Sequence, residues 1–117
     1  MAHYEELTID KGTDVSVELQ LVNLDGSAKD LTGYSVSAKM ATRYDERDSD
    51  KIPFTSIVAT PADEGIVSLS LTNTVSDTLN PKKRYVYDVE ISHLDSDSNT
   101  IVERVLEGII SVTPSVT

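Results

Sequence analysis

The sequence contains no cysteine, no tryptophan and a single phenylalanine. Without cysteine the chain can form neither a disulfide framework nor a thiolate metal site, and it has no thiol nucleophile. Basic residues are also scarce, since 10 Lys and Arg stand against 20 Asp and Glu and give a formal net charge of −10. Because this charge repels phosphate backbones, we expect no nucleic-acid partner.

Long hydrophobic runs are missing as well. The opening Met1-Ala2-His3-Tyr4 lacks the basic stretch and apolar run of a secretory signal, and no segment approaches the roughly 18 apolar residues of a membrane span. We therefore expect no membrane partner and synthesis in a reducing cytoplasm.

What the chain has is branched aliphatic residues in alternation with polar ones. At 117 residues it has the length of one domain, residues 1–117, and a domain of this size buries roughly two thirds of its unfolded surface. The cleanest period-two run is 15–21, in which Val15, Val17, Leu19 and Leu21 alternate with polar residues. Further strands are expected around residues 7–9, 34–40, 54–59, 67–71, 85–91 and 102–112. About seven strands with turn signals every ten residues or so predict an all-β antiparallel sandwich.

Three local features refine this prediction. Asn73 is a plausible N-cap for one short helical turn that places Val75 and Leu79 on the same face. Gly108, inside the last strand, predicts a bulge or a sharp bend. Tyr85 has the placement of a tyrosine corner, whose hydroxyl ties down the preceding crossover.

The two histidines, His3 and His93, are the first candidates for chemistry. Metal and acid–base sites need converging partners, and the sequence has no cysteine to help either histidine bind a metal. We expect both to be surface residues.

A second candidate is Asp95-x-Asp97-x-Asn99, which matches the first three ligand positions of a calcium loop. The motif then fails, because Thr100 replaces the required glycine and Leu106 occupies the twelfth position in place of glutamate. An Asx-rich hairpin turn is the preferred interpretation.

No other pattern indicates catalysis. Carboxylates are plentiful without an aromatic cleft, no Gly-x-Ser-x-Gly elbow is present, and no glycine-rich phosphate loop opens a helix. We expect no enzyme activity, no catalytic, cofactor-binding or metal residues, no cofactor and no small-molecule substrate. The charged segment 45–50 is expected to be a solvated loop, with contact to a neighbouring copy as the alternative.

Five segments carry a family resemblance: 12–19 (GTDVSVEL), 30–36 (DLTGYSV), 63–69 (DEGIVSL), 84–90 (RYVYDVE) and 107–114 (EGIISVTP). Together they resemble the immunoglobulin-like sandwich domains of tailed-bacteriophage virion proteins. The nearest in pattern are the N-terminal domain of the upper baseplate protein of siphophages and the small tail-fibre collar proteins. The sequence also looks like short structural proteins of marine cyanobacterial myophages. The matching residues are turn and core residues, so the resemblance specifies the fold better than the task.

The resemblance implies a non-enzymatic structural component of a virion, made in the host cytoplasm. Its partners would be other virion proteins at the tail, baseplate or fibre-attachment region, together with copies of itself. Two alternatives stay open, a capsid decoration protein and a carbohydrate-binding or adhesion module. The scarcity of Trp and Phe speaks against the latter, because sugar faces usually stack on aromatic rings.

Overall fold

The structure is a computed structural model that describes residues 3–116, apart from the side chain of Asp48. Nine strands lie in this part of the chain: β1 (His3–Tyr4), β2 (Leu7–Asp10), β3 (Val15–Gln20), β4 (Ser35–Ala41), β5 (Ile52–Pro53), β6 (Thr55–Val58), β7 (Ile66–Leu71), β8 (Arg84–Leu94) and β9 (Thr100–Thr113). A single helical turn, α1 (Asn73–Ser76), and two short 3-10 turns, Asp48–Asp50 and Ala62–Glu64, complete the element list.

The strands form two sheets. The larger sheet has the order β1-β9-β8-β4-β5. β2 joins the same sheet by pairing with residues 110–113 of β9, on the same side as β1, which pairs with residues 106–107. The smaller sheet has the order β3-β7-β6. Strands β1 and β2 run parallel to β9, whereas every other pairing is antiparallel. The expected all-β sandwich is confirmed.

The core lies between the sheets because alternate residues of each strand face inward. In β8 every second residue from Tyr85 to Ile91 is buried, and in β7 the same holds for Val67, Leu69 and Leu71. Burying an aliphatic side chain of this kind contributes about 1.5 to 3 kcal/mol. The period-two pattern of the sequence therefore corresponds to the inner faces of the two sheets.

Two short strands were not expected from the sequence. β1 and β5 have two residues each, too few to leave a periodic signal. Phe54, expected inside a strand, lies between β5 and β6, where its N–H donates to the Ala38 carbonyl at 3.0 Å. At this residue the chain crosses from the larger sheet to the smaller one, and Pro53 occupies an edge strand as proline requires.

The predicted cap of α1 is wrong by one residue. Thr72 is the N-cap, with extended backbone angles and a hydroxyl that accepts the Val75 N–H at 3.4 Å. Asn73 is the first helical residue, and its N–H donates to Asp14 Oδ1 at 2.7 Å. Thr and Asn both cap helices, so the sequence alone does not separate them. Val75 and Leu79 both pack against the core, but α1 ends at Ser76, so Leu79 lies beyond the helical turn that was expected to include it.

The tyrosine corner is confirmed. The Tyr85 hydroxyl accepts the Asn80 backbone N–H at 2.9 Å, so the start of β8 holds the crossover that follows α1. Tyr85 is itself buried, and this bond satisfies an amide that the crossover would otherwise leave without a partner.

The bulge predicted at Gly108 lies elsewhere. Val89 pairs with Leu106 while Glu90 pairs with Arg104, which makes Val105 the extra residue of β9. Gly108 stays in register with Tyr87, and a Cβ at this position would lie 1.9 Å from the Glu5 carbonyl oxygen. Glycine is therefore required by the close approach of another backbone segment, not by a bend.

Candidate interaction surface

The loops gather at two ends of the sandwich. The upper end carries residues 21–34, 59–65 and 95–99, and the lower end carries 11–14, 42–51 and 72–83. At the upper end the Leu31 N–H donates to the Ala62 carbonyl at 3.0 Å. At the lower end the Ser76 hydroxyl donates to the Thr13 carbonyl at 2.6 Å.

The charged loop of the lower end satisfies much of its charge internally. Arg43 lies 3.6 Å from Asp45 and 3.8 Å from Glu46, and Arg47 lies 3.5 Å from Asp50. Exposed ion pairs of this kind contribute little to stability. They nevertheless leave the loop with little unbalanced charge for a neighbour, and its contact with another copy stays a prediction.

The two histidines have different environments. His3 is exposed as expected, with Nε2 3.6 Å from Glu5 Oε2. His93 is half-buried, against expectation, and its ring centroid lies 4.7 Å from that of Tyr34. Position 93 continues the inward face of β8, which explains the burial. Within residues 3–116 no three His, Asp or Glu side chains come together as a potential metal site.

The calcium-like motif forms a hairpin turn. Asp95 Oδ1 accepts the backbone N–H groups of Asp97 and Asn99, both at 2.9 Å. The bond from Asn99 is the main cause of a pKa of Asp95 below its usual value. This carboxylate thus has a structural role in closing the β8–β9 hairpin.

The upper part of β9, like residues 35–37 at the start of β4, has a neighbouring strand on one side only among the described strands. From Leu106 downward β9 has β8 on one side and β1 or β2 on the other. From Thr100 to Arg104 it pairs only with β8 among the described strands. We call this five-residue stretch the free edge.

The direction of the backbone groups on the free edge follows from the hairpin. Asp95 N–H donates to the Asn99 carbonyl at 2.9 Å, so Asp95 and Asn99 form a hydrogen-bonded residue pair between the two chain segments. Along an antiparallel ladder, hydrogen-bonded residue pairs alternate with pairs whose backbone groups point away from each other. Thr100, Val102 and Arg104 therefore direct their N–H and C=O groups away from β8, into the position that a further strand would occupy.

A groove of about 900 Å³ lies between the two sheets beside the free edge. It opens here because β3, the facing edge of the smaller sheet, pairs only with β7 in the described part of the chain. The apolar lining residues are Leu19, Leu21, Val22, Leu24, Val105 and Leu106, and the charged ones are Glu5, Glu18, Lys29 and Glu103, with His3 at the rim. We call this the edge groove.

Exposed apolar side chains surround the same region. Leu24 is fully exposed, and Leu94, Ile101 and Val102 are 65%, 43% and 57% exposed. Glu103 pairs with the buried Ile91, so its carboxylate lies on the inner face of the sheet, at the wall of the edge groove. Apolar area, open backbone groups and a carboxylate are thus combined on one side of the upper end.

Sequence reasoning missed this surface. It divided the last strand at Gly108, whereas the change of environment comes at Val105. Strict alternation in the sequence places Glu103 on the outer face, and only the extra residue Val105 brings it to the inner face. The sequence therefore carried no signal for a carboxylate at this position, nor for the point at which β1 begins to pair with β9.

Comparison with known proteins gives information on the fold alone. No family model and no curated protein matches the chain. Among solved structures it is similar to murine CRIg, with 18% sequence identity over 93% of this chain and 92% of that one, and a TM-score of 0.51. At this identity the likeness establishes that the sandwich is immunoglobulin-like and leaves the function to be argued from the surface.

Proposed function

We propose that the chain is a non-enzymatic structural component of a tailed-phage virion, which docks on other virion proteins at the tail, baseplate or fibre-attachment region. The observation that carries this proposal is the free edge beside the apolar edge groove. An unpaired strand next to exposed apolar surface is a standard geometry for protein–protein contact. The phage assignment is supported by the five sequence segments described above.

The chemistry of the edge groove favours binding over catalysis. Its described lining contains no Ser, Thr, Cys or Tyr, so no hydroxyl or thiol nucleophile is available there. It also contains no Phe, Tyr or Trp ring on which a sugar could stack, which argues against a carbohydrate-binding module. Apolar walls with a few carboxylates suit a polypeptide partner.

Fractionation of virus particles tests the proposal. Intact virions, isolated tails and isolated heads are purified, and each fraction is analysed by quantitative mass spectrometry. We expect the chain in virions and tails. Recovery with heads alone would replace the tail assignment by capsid decoration, and absence from all three fractions would overturn a virion role.

A further inference from the structure

We propose that the edge groove binds an extended segment of another virion protein, rich in alternating apolar and basic residues, which adds as a β-strand to the free edge. This inference rests on the proposed function and specifies the chemistry of the partner. It names strand addition, not side-chain contact alone, as the mode of docking.

The first argument is the backbone. Thr100, Val102 and Arg104 direct N–H and C=O groups outward, as derived above from the Asp95–Asn99 pair. Lower on the same side of β9 this position is taken by β1, where His3 pairs with Leu106 and the Glu5 N–H donates to the Glu107 carbonyl at 2.9 Å. A partner strand would lie in line with β1, above it, and would form backbone hydrogen bonds with β9 in the same way.

The second argument is the shape of the edge groove. Alternate side chains of an added strand point to opposite faces, so every second one would enter the space between the sheets. There it would meet Leu21 and Val22 on one wall and Val105 on the other. The partner segment therefore needs apolar residues at every second position.

The third argument is charge. Three carboxylates line the edge groove, those of Glu5, Glu18 and Glu103, against one ammonium, that of Lys29. The Lys29 ammonium also lies 5.6 Å from the Tyr34 ring centroid, where a cation–π contact holds it. A second copy of a chain with net charge −10 would add repulsion at this site, whereas lysine or arginine on the partner would be attracted.

A matched pair of variants at Val102 tests the strand addition. Val102→Pro removes an outward N–H without removing a bond to β8, while Val102→Ala removes side-chain atoms and keeps the N–H. We expect incorporation of V102P into particles at least about tenfold below wild type, and of V102A within about twofold. Circular dichroism and thermal melting of the isolated variants check that both fold.

Glu103 provides the corresponding test of charge. Glu103→Lys reverses the carboxylate at the wall of the groove, and Glu103→Gln only neutralises it. We expect the loss of incorporation to be larger for E103K than for E103Q, and the loss to shrink as salt rises in reconstitution. Equal incorporation of E103K and wild type would overturn the basic character of the partner.

Hydrogen exchange on wild-type protein gives a readout that needs no variant. The amides of Val102 and Arg104 should be protected in particles and unprotected in the free chain. Particles that contain the chain but leave these amides unprotected, or that accept V102P like wild type, would overturn strand addition while the virion role stands. Absence of the chain from particles would overturn both proposals. If the isolated chain forms a dimer that V102P abolishes, a second copy occupies the edge groove, and the proposal of a basic partner segment is overturned.

Discussion

The two halves of β9 show how differently one strand can be used. In the lower half, Leu106–Thr113, the strand lies between β8 and the parallel pair β1 and β2, and Ile110 is completely buried. In the upper half β9 has one neighbour among the described strands, and Ile101, on the same inward face as Ile110, is 43% exposed. Both halves carry branched aliphatic residues, so their different burial follows from the number of neighbouring strands and not from composition.

The boundary between the halves is the bulge at Val105. An extra residue changes which side chains face inward, and here it lies immediately above the first residue that pairs with β1. Below it the chain segment around Glu5 approaches β9 so closely that only glycine fits at position 108. The lower half thus contributes to stability, and we propose that the upper half serves for contact with a partner. Substitutions in the two halves should therefore differ in their effects.

Gly108→Ala should have the largest effect. Its Cβ would collide with the backbone of Glu5, and because backbone cannot rotate away the first strands must move, at a cost of about 3 kcal/mol of unfolding free energy. Urea denaturation measures this cost. The matched change in the upper half, Thr100→Ala, should alter stability by less than about 0.5 kcal/mol, and equal effects of the two would remove the distinction between the halves.

Alkaline pH should weaken the attachment of the first strands through Tyr87. The Tyr87 hydroxyl donates to the Glu5 carbonyl at 2.8 Å, and burial, with the charge of Glu5 second, raises the pKa of Tyr87 from 10.0 to about 12. The stabilising effect of a raised pKa is complete below the unfolded-state pKa and is lost as pH rises toward the folded-state value. Between pH 9 and pH 11 wild type should therefore lose about 1.4 kcal/mol more than Tyr87→Phe. Equal losses would show that Tyr87 has no part in the alkaline transition.

Tyr85→Phe tests the tyrosine corner in the same sheet. The change removes the acceptor of the Asn80 N–H and should cost about 1 kcal/mol, a fall in melting temperature of roughly 4 to 8 °C. Tyr44→Phe is the control, because Tyr44 lies exposed in the lower loop and its loss of a hydroxyl should leave the melting temperature unchanged. A melting temperature that Tyr85→Phe does not lower would contradict the corner.

Val102→Ala should have the smallest effect. Its side chain is mostly exposed on the outer face of the free edge, so truncation should change the unfolding free energy by less than about 0.5 kcal/mol. Thermal melting beside wild type measures it. A cost near that of a core truncation, about 2 kcal/mol or more, would show that the upper half is packed in a way the structure does not have.

Local pattern was enough to predict the strands that form the core. The alternation through Val15, Val17 and Leu19 and the inward series of β8 need only the two-residue period and a buried face. The tyrosine corner was also predictable, since it joins residues five apart in sequence. These features depend on neighbours along the chain.

The candidate site depends on pairings between distant segments. The first strands could in principle pair with β9 or with β3, and the strand that they do not join keeps an unpaired edge. Residues 3–10 contain no sequence pattern that distinguishes the two pairings. Likewise the glycine at 108 is explained by Glu5, about a hundred residues earlier. The free edge could be recognised only once the register of β9 against both neighbours was known.

Residue-resolved hydrogen exchange of the isolated chain can decide whether the upper half of β9 has a free edge. Val102 and Arg104 should exchange at least on the order of a hundredfold faster than Ser111, which pairs with β2 on the same side of the same strand. Protection of Val102 and Arg104 equal to that of Ser111 would mean that the upper half of β9 already has a second neighbour, and the free edge would not exist.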